Sequence, residues 1–386
     1  MIIRDLQPND AMQHCKVSSS AFIWNVDPEK DVKLPDESAI GAFMDDGTTM
    51  MAEIEHENFN VFYGSGTLGC VGIGGVASKP EYRRHGAVRQ LFLEVERRAA
   101  SNGWDVGILY PFSTSYYRLF GYENLARFCD AKINFKYLSF IERNCDVDLF
   151  EGDNLAPLLE LYNKTARQYN LAFRRESDRY FGKKPYETCN YTYMWRNKDG
   201  EYRAYATYQV SRAESAVQVG EIGFLDRESL LGILGFLRCY DGNQEYISFG
   251  KLPLNSPLFD VIPDSNKFER RMFNLGSGRI YNVEKVLAQN IYPKEYGRFS
   301  LSIEDSMPEN AGIYDVEYQN GAAQIAKRDA GDYDIALDAA CAAKLLLSGG
   351  CTLQAMRYWP GARILRENED AIRAFPDRNT FFMDGF

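Results

Sequence analysis

The sequence predicts an α/β protein that contains two copies of one strand-and-helix unit, followed by a third and different domain. Its 386 residues suffice for two to three domains of about 150 residues each. Short apolar strands alternate with amphipathic helices over residues 1–140, and a similar order returns between residues 145 and 275. We therefore expect domains over residues 1–142, 143–276 and 277–386.

The first unit begins with a helix and contains three predicted strands. Its second helix follows Gly86, because Val88, Leu91 and Val95 keep helical spacing while charged residues fall on the other face. The predicted elements are, in order, a helix over 11–22, strands over 59–63 and 68–73 joined by a turn at 64–66, the helix after Gly86, its end at 101–103, and a buried strand over 106–110.

The second unit repeats this order, and the last domain mixes helices and strands. In the second unit we expect a helix over 155–169, strands over 191–195, 202–208 and 218–224, a helix over 229–238 and a linker over 274–278. In the last domain we expect helices over 281–288, 335–347 and 371–375. The chain ends in an aromatic segment, and because frayed tails are normally polar, we expect this one to be buried.

Charge and apolar patterning exclude two classes of partner. The chain has 44 Lys and Arg against 54 Asp and Glu, a net charge of −10. This balance does not favour nucleic acid or anionic lipid, and it favours a cationic partner. Even the longest apolar runs, such as residues 345–347, are short. The first residues lack the basic segment followed by an apolar segment that is typical of a signal peptide. We expect no membrane association and a cytoplasmic location.

Cysteine and histidine usage restrict the chemistry. The eight cysteines include no C-x-x-C pair, and we interpret them as free thiols in a reducing compartment. Only three histidines occur, His14, His56 and His85, and no H-E-x-x-H or G-x-S-x-G motif is present. We therefore expect no metal site, and a proton acceptor other than histidine in any acid–base reaction.

The most informative stretch runs from Val76 to Leu91. A strand ends, a basic loop with a glycine follows, and an amphipathic helix opens directly after it. Backbone N–H groups and the positive end of the helix dipole then converge on an anion site that suits a pyrophosphate. Gly86 lets the backbone approach closely, and Arg83 and Arg84 add charge. The alternative is a surface loop with a solvated basic patch.

This stretch resembles the coenzyme A loop of the GNAT acetyltransferase superfamily, whose pattern is Gln/Arg-x-x-Gly-x-Gly/Ala. Arg83, Gly86 and Val88 occupy its three fixed places, and valine stands where the superfamily has a small residue. A branch of the superfamily, the Eis (enhanced intracellular survival) family, uses a basic run, glycine and larger apolar residues. Its Tyr-x-x-Phe-Gly-Tyr element is similar to the segment 115–122, about 30 residues after the loop.

The resemblance covers the whole chain and implies two tandem GNAT domains and a C-terminal α/β domain like the sterol carrier protein. It implies acetyl-CoA as co-substrate, with Tyr117 as the general acid that protonates the departing thiolate. The α-carboxylate of Phe386 would be the base toward the amine, or would bind an ammonium group. The alternative interpretation, which does not use the resemblance, is that Tyr117 is a core aromatic residue and that the tail fills a groove.

The resemblance also implies the coenzyme contacts. The residues concerned are Val76, Ala77 and Ser78 along the pantetheine arm, Arg83, Arg84, His85, Gly86, Ala87, Val88 and Arg89 around the pyrophosphate, and Phe112 and Ser113 beside the thioester. The second unit has acidic residues and no glycine at the corresponding place, 224–230, and an acidic loop repels a pyrophosphate. We therefore expect one active site in each chain.

The sequence leaves the acceptor open. The leading hypothesis is an N-acetyltransferase for amines of polycationic small molecules such as aminoglycosides, and the alternatives are a protein-lysine or polyamine acetyltransferase. A different class, a non-catalytic lipid or acyl-CoA carrier, follows from the sterol-carrier-like end of the chain. Family resemblance implies a homo-oligomer, a hexamer. Some aromatic and acidic residues could line an amine pocket, although an ordinary core or surface position is the favoured interpretation for each: Phe22, Trp24, Asp27, Asp45, Asp46 and Asp384.

Overall fold

The computed structural model describes residues 1–27, 30–35, 38–182, 184–348, 353–376 and 378–386. Its contacts divide the chain into two compact units. Unit 1 comprises Met1–Leu125, Gly276–Arg378 and Gly385–Phe386. Unit 2 comprises Ala126–Leu275 and Asn379–Asp384.

Helices and strands follow in three sets. The first is β1 (Ile2–Asp5), α1 (Ala11–Phe22), β2 (Ser38–Phe43), β3 (Met50–Tyr63), β4 (Gly66–Ser78), α2 (Ala87–Asn102), β5 (Val106–Leu109), α3 (Thr114–Arg118) and β6 (Glu123–Asn134). The second is β7 (Val147–Phe150), α4 (Leu155–Ala166), α5 (Pro185–Thr188), β8 (Tyr191–Arg196), β9 (Tyr202–Ser211), β10 (Ala216–Phe224), α6 (Arg227–Leu237), β11 (Tyr246–Pro253), α7 (Leu258–Val261) and β12 (Glu269–Ile280). The third is α8 (Val283–Gln289), β13 (Gly297–Glu304), β14 (Gly312–Gln319), β15 (Ala322–Arg328), β16 (Ile335–Asp338), α9 (Ala339–Ser348), α10 (Leu353–Met356), β17 (Ala362–Ile364) and α11 (Glu369–Ala374).

In unit 1 the first sheet has the strand order β1-β2-β3-β4-β5-β12. Only β4 and β5 are parallel neighbours in this part of the described chain, and the other pairs are antiparallel. Helix α2 packs on the sheet through Leu91, Phe92 and Val95, the apolar face that its periodicity predicts. It ends at Gly103 in a left-handed conformation with φ of 70°.

Unit 2 has the same plan, which confirms the predicted internal copy. Its sheet has the order β7-β8-β9-β10-β11-β6, and the parallel pair, β10 and β11, stands at the same place as β4 and β5. Helix α6 packs on this sheet through Leu230, Ile233 and Leu234. Two sets of six sheet strands with one strand order, each with helices packed against it, confirm the α/β class.

The last part of unit 1 forms a separate five-stranded sheet with the order β15-β14-β13-β16-β17. Strands β13 and β16 are parallel, and the other pairs are antiparallel. Helix α9 is apolar over almost its whole length, and Leu345, Leu346 and Leu347 are fully buried. This sheet and its helices lie within residues 283–374.

The segment 274–278 is not a linker. It lies within β12, where Ser277 and Gly278 pair with β5. A Cβ on Gly278 would lie 2.5 Å from the Cδ1 atom of Leu125, so close packing accounts for this glycine. The glycine and serine composition that suggested a flexible connection belongs to a strand.

The predicted helix over 335–347 is wrong in its first turn. Residues Ile335–Asp338 form β16, and α9 begins at Ala339. The Asp338 carboxylate accepts a hydrogen bond from the backbone N–H of Cys341 at 2.7 Å and so starts the helix. Strand and helix are both apolar and follow one another directly, so periodicity could not separate them.

Two general expectations concern thiols and membranes. The seven cysteines within the described residues are free thiols, and Cys351 lies outside those residues. Among the described helices, none combines the length and the apolar character that crossing a bilayer requires.

Candidate active site

Strand β4 of unit 1 runs past the end of its parallel neighbour β5. Residues 70–73 pair with residues 106–109, where β5 ends, and β4 continues to Ser78. The register between β3 and β4 shifts near residue 54, which marks a β-bulge at the start of this extension. The predicted pantetheine contacts at 76–78 lie on the extended part of β4.

The basic loop follows β4 and leads into α2. Its last residue, Gly86, is the N-cap of α2 and has a φ of 81°, which glycine adopts without strain. Because glycine has no side chain to cap the helix, the first N–H groups of α2 remain directed toward an incoming anion. Arg83, Arg84, His85 and Arg89 are exposed around this helix end. The arrangement suits a pyrophosphate.

The four remaining predicted coenzyme residues differ in their exposure to solvent. Ala87 is buried and Val88 packs against the core of unit 1, so both can offer only backbone groups to a ligand. Phe112 is 76% exposed. Ser113 is the N-cap of α3, and its hydroxyl accepts a hydrogen bond from the backbone N–H of Tyr116. Phe112 is thus free to contact a ligand, whereas Ser113 also holds the local helix.

Tyr117 lies in α3 and is only 4% exposed. Its ring centroid is 6.1 Å from that of Phe92 and 5.4 Å from that of Phe112, both in edge-on geometry. Burial raises the pKa of Tyr117 well above its usual value of 10.0, and the neighbouring Tyr116 raises it further. The phenol therefore stays protonated at neutral pH and can donate a hydrogen bond.

The last residue of the chain lies against the glycine-rich part of β4. The ring of Phe386 stacks on Tyr110 with 5.3 Å between centroids and lies 5.7 Å from the ring of Phe59. A Cβ on Gly72 would lie 2.6 Å from the Phe386 ring, and a Cβ on Gly74 would lie 3.2 Å from the Phe386 O atom. These glycines admit the tail, and the terminal carboxylate lies beside the β4 backbone.

The structure therefore brings the predicted tail, strand and loop together along β4 of unit 1. It also places Tyr117 in contact with the predicted Phe112. Sequence reasoning missed the four residues that receive the tail, Tyr110, Phe59, Gly72 and Gly74. The signal that could have found two of them is glycine inside a strand, which often marks close approach of another group.

One group of residues in unit 1 could in principle hold a metal ion. Ligand atoms of His14, Glu53 and Glu55 lie within 4.8 Å of one another. The Nδ1 atom of His14 is 2.9 Å from Glu53 Oε2, and the Ser18 hydroxyl donates to Glu53 Oε1 at 2.8 Å. Burial lowers the pKa of His14, but the hydrogen bond and charge of Glu53 outweigh it, and the net pKa is raised. These two hydrogen bonds hold the Glu53 carboxylate in place.

The corresponding part of unit 2 has features that oppose coenzyme binding. Strands β10 and β11 pair over residues 216–219 and 246–249. Beyond these residues, the two strands and residues 381–383 of the tail line a cavity of about 50 Å³. The N-terminus of α6 is capped by Asp226, whose carboxylate accepts a hydrogen bond from the backbone N–H of Ser229 at 2.8 Å. A carboxylate at this helix end repels a pyrophosphate.

Asp384 does not fit the amine pocket for which it was considered. It is 4% exposed and is held within unit 2 by Arg175, whose Nε lies 3.0 Å from Asp384 Oδ2. Arg175 also pairs with Glu221 at 3.0 Å and lies over the ring of Tyr162 at 3.9 Å. This charge pair fixes residues 379–384 of the tail in unit 2. Of the aromatic residues at the end of the chain, Phe382 is buried, and Phe381 and Phe386 are half-buried.

The other pocket candidates lie in unit 1 and are placed as follows. Phe22 and Trp24 are 55% and 38% exposed. Asp27 pairs with Lys30 at 3.0 Å, and Asp46 accepts hydrogen bonds from two backbone N–H groups at 2.9 Å. Asp45 pairs with the N-terminal amine. Their part in binding an amine stays a prediction.

Comparisons with known families agree with this geometry. Residues 2–125 match a family model described as an acetyltransferase (GNAT) domain, and residues 167–280 match a second model with the same description. Residues 283–383 match a sterol carrier protein domain. No curated protein sequence matches the chain.

Solved structures share the fold over the whole chain. A conserved Enterococcus faecalis V583 protein, described as a probable N-acyltransferase, is 18% identical with a TM-score of 0.84, covering 100% of this chain and 99% of its own. A GCN5-related N-acetyltransferase from Anabaena variabilis ATCC 29413 and Eis1 from Mycobacterium abscessus are each 17% identical with TM-scores of 0.81, at 100% coverage of both chains.

With GNAT domains over residues 2–125 and 167–280, this chain is a GNAT acetyltransferase. It also carries a sterol carrier protein domain, and it shares its fold along the whole chain with Eis1 from Mycobacterium abscessus.

Proposed function

We propose that the chain transfers the acetyl group of acetyl-CoA to amines of a polycationic small molecule such as an aminoglycoside. The observation that supports this substrate class is the position of Phe386, whose terminal oxygen lies beside Gly74 on the strand that leads into the basic loop. A carboxylate at this place can bind an ammonium group or accept its proton. The net charge of −10 also suits a substrate with several ammonium groups.

The coenzyme is proposed to bind along β4 and the start of α2. Backbone groups of 76–78 would contact the pantetheine arm. Arg83, Arg84, His85 and Arg89 would surround the pyrophosphate, with backbone groups of 86–88 beneath it. Phe112 and Ser113 would lie beside the thioester. The exposed arginines and the uncapped start of α2 support this assignment.

Transfer then needs little activation of either reactant. The deprotonated amine attacks the thioester carbonyl carbon and forms the C–N bond, and the C–S bond breaks when the tetrahedral intermediate collapses. The departing thiolate takes the proton of the Tyr117 hydroxyl, and the extra proton on the newly bonded nitrogen returns through water to the Tyr117 phenolate. The Phe386 carboxylate binds the ammonium group or relays its proton through water, because an α-carboxylate with a pKa of about 3.5 is a weak base. Holding both reactants together supplies much of the acceleration.

The same proposal covers the organisation of the chain. Domains over 1–142, 143–276 and 277–386 would be a catalytic GNAT domain, a GNAT domain without a coenzyme loop, and a sterol-carrier-like domain that carries the active-site carboxylate. Asp226 at the start of α6 supports the second assignment. Family resemblance supports a cytoplasmic homohexamer.

A lipid or acyl-CoA carrier is the alternative from a different class. The sterol carrier protein domain at residues 283–383 suggests this alternative. A groove of about 680 Å³ on the sheet of this domain is lined by charged side chains that include Arg298, Asp315, Arg328 and Asp334. Such a lining does not suit an acyl chain, because ligand sites for apolar groups are themselves mostly apolar.

A panel of amines tests the proposed substrate class. Acetyl-CoA is incubated with the full chain and kanamycin, spermidine or a lysine-containing peptide, and the release of free thiol and the mass of the product are measured. We expect thiol release and acetylated product with kanamycin, and the product mass gives the number of acetyl groups. Glucose, which has no amine, is the matched control for thioester hydrolysis. Turnover with the peptide or spermidine alone would reassign the substrate, and absence of turnover with every amine would contradict the enzyme.

A further inference from the structure

Two exposed cysteines of unit 2 lie in contact although 94 residues separate them in the sequence. Cys145 stands between β6 and β7, and Cys239 stands in the turn that follows α6. Their Sγ atoms are 3.5 Å apart, and both side chains are exposed to solvent. A disulfide needs an S–S distance of about 2.0 Å, so a shift of about 1.5 Å closes the gap.

Fixed contacts on both sides hold the two cysteines in place. Arg143 pairs with Asp241 at 2.6 Å, and Arg238 donates a hydrogen bond to the carbonyl oxygen of Ile141. A Cβ on Gly235 would lie 2.3 Å from the carbonyl oxygen of Glu142. The segment 141–145 therefore rests directly on the end of α6, and the contact between the thiols does not depend on a chance orientation of two loops.

The other described cysteines differ from this pair. Cys15, Cys70, Cys129 and Cys341 are buried, and a solvent oxidant does not reach such thiols readily. Cys189 is exposed and offers a matched control for solvent access. Acetyl transfer as proposed above uses neither Cys145 nor Cys239.

We propose that Cys145 and Cys239 are a site of reversible oxidation, at which a peroxide converts the two thiols into an intramolecular disulfide. The Cys145 thiolate attacks one peroxide oxygen, so an S–O bond forms, the O–O bond breaks and hydroxide leaves. Cys239 then attacks the sulfur of the sulfenic acid, the S–S bond forms, and the S–O bond breaks with loss of water. The two sulfurs together lose two electrons, which the peroxide gains.

The order of these two steps follows from the surroundings of Cys239. Although Cys239 is exposed, partial desolvation of its thiol by neighbouring atoms and the hydrogen bond with Cys145 raise its pKa to about 11. The Cys239 thiolate is therefore scarce at neutral pH, which assigns the second, resolving step to Cys239. The product would fasten the segment 141–145 to the end of α6 and close a loop of 94 residues within unit 2.

Peptide mapping of the full chain tests the proposal. The reduced protein is treated with hydrogen peroxide, remaining thiols are blocked with N-ethylmaleimide, and a non-reducing digest is analysed by mass spectrometry. We expect a cross-linked pair of peptides that contain Cys145 and Cys239, the loss of two reactive thiols per chain, and a higher midpoint of thermal unfolding. Dithiothreitol should reverse all three changes.

Serine variants serve as controls. Cys145→Ser and Cys239→Ser should each abolish the cross-link and the thermal shift, whereas Cys189→Ser should keep both. The proposal is overturned if peroxide oxidises Cys145 and Cys239 singly, if the cross-link joins two chains, or if both cysteines stay open to N-ethylmaleimide after treatment. The peptide map of the wild-type protein distinguishes these results even if a variant folds poorly.

Discussion

Deletion of Phe386 is expected to lower kcat for acetyl transfer by about 10²- to 10⁴-fold, the usual contribution of a positioned acid or base. The shortened chain ends in the carboxylate of Gly385, which stands about 3.5 Å back along the tail. It also lacks the ring that stacks on Tyr110. Steady-state kinetics with saturating acetyl-CoA measure the effect, and KM for acetyl-CoA should stay nearly constant because the basic loop is untouched.

Two further variants separate the carboxylate from the ring. One glycine added after Phe386 keeps the ring and moves the carboxylate by about 3.5 Å, so it should reduce kcat almost as much as the deletion. Gly72→Ala places a Cβ 2.6 Å from the Phe386 ring and should displace the tail, with a loss of about 10² in kcat. Gly242→Ala, where a Cβ meets nothing within 4 Å, is the matched control. Full activity of the chain that lacks Phe386 would show that the tail takes no part in the mechanism. If the protein were a lipid carrier, the same deletion would leave its ligand affinity unchanged.

Tyr117→Phe is expected to lower kcat by about 10²- to 10³-fold, because the departing thiolate loses its proton donor. The substitution removes one hydroxyl and keeps the ring contacts with Phe92 and Phe112, so the midpoint of thermal unfolding should change little. Since burial raises the pKa of Tyr117 above 10.0, the wild-type activity should show no alkaline loss from this group below pH 10.

Tyr116→Phe is the matched control for this prediction. Tyr116 is the next residue in α3, and its ring lies 5.3 Å from that of Tyr117. It should leave kcat within about twofold of the wild-type value, because the substitution keeps the half-buried ring and removes a hydroxyl that the proposed mechanism does not use. Equal effects of the two substitutions on kcat would assign both tyrosines to the wall of the site and leave the thiolate without this acid.

Local signals predicted much of the first unit. Helix α1 has its predicted bounds, and α2 begins directly after Gly86 because a glycine can take the left-handed conformation that the helix start requires. Strand β12 was missed because its pairing with β5 joins residues far apart in the sequence, and the composition of 274–278 favours a loop. Pairing partners of this kind are not encoded within a local window.

The candidate site was predictable only in part, because it also depends on contacts between residues that lie far apart in the sequence. The basic loop and the aromatic tail are visible as sequence features, but the place where the tail lies depends on two strand glycines, Gly72 and Gly74. Asp384 looked like an exposed acid and is instead buried against Arg175, a pair that only the folded chain brings together. Residues in contact across the fold leave no periodic pattern along the chain.

The number of acetyl-CoA molecules that each chain binds tests the central claim most directly. Titration calorimetry on the full chain should give one molecule per chain, bound at the start of α2. The double variant Arg83→Glu, Arg84→Glu should abolish this binding, whereas Arg227→Glu, at the start of α6 in unit 2, should leave it unchanged. Two molecules per chain, or binding that survives the double variant, would contradict a single acetyl-CoA site in the first GNAT domain.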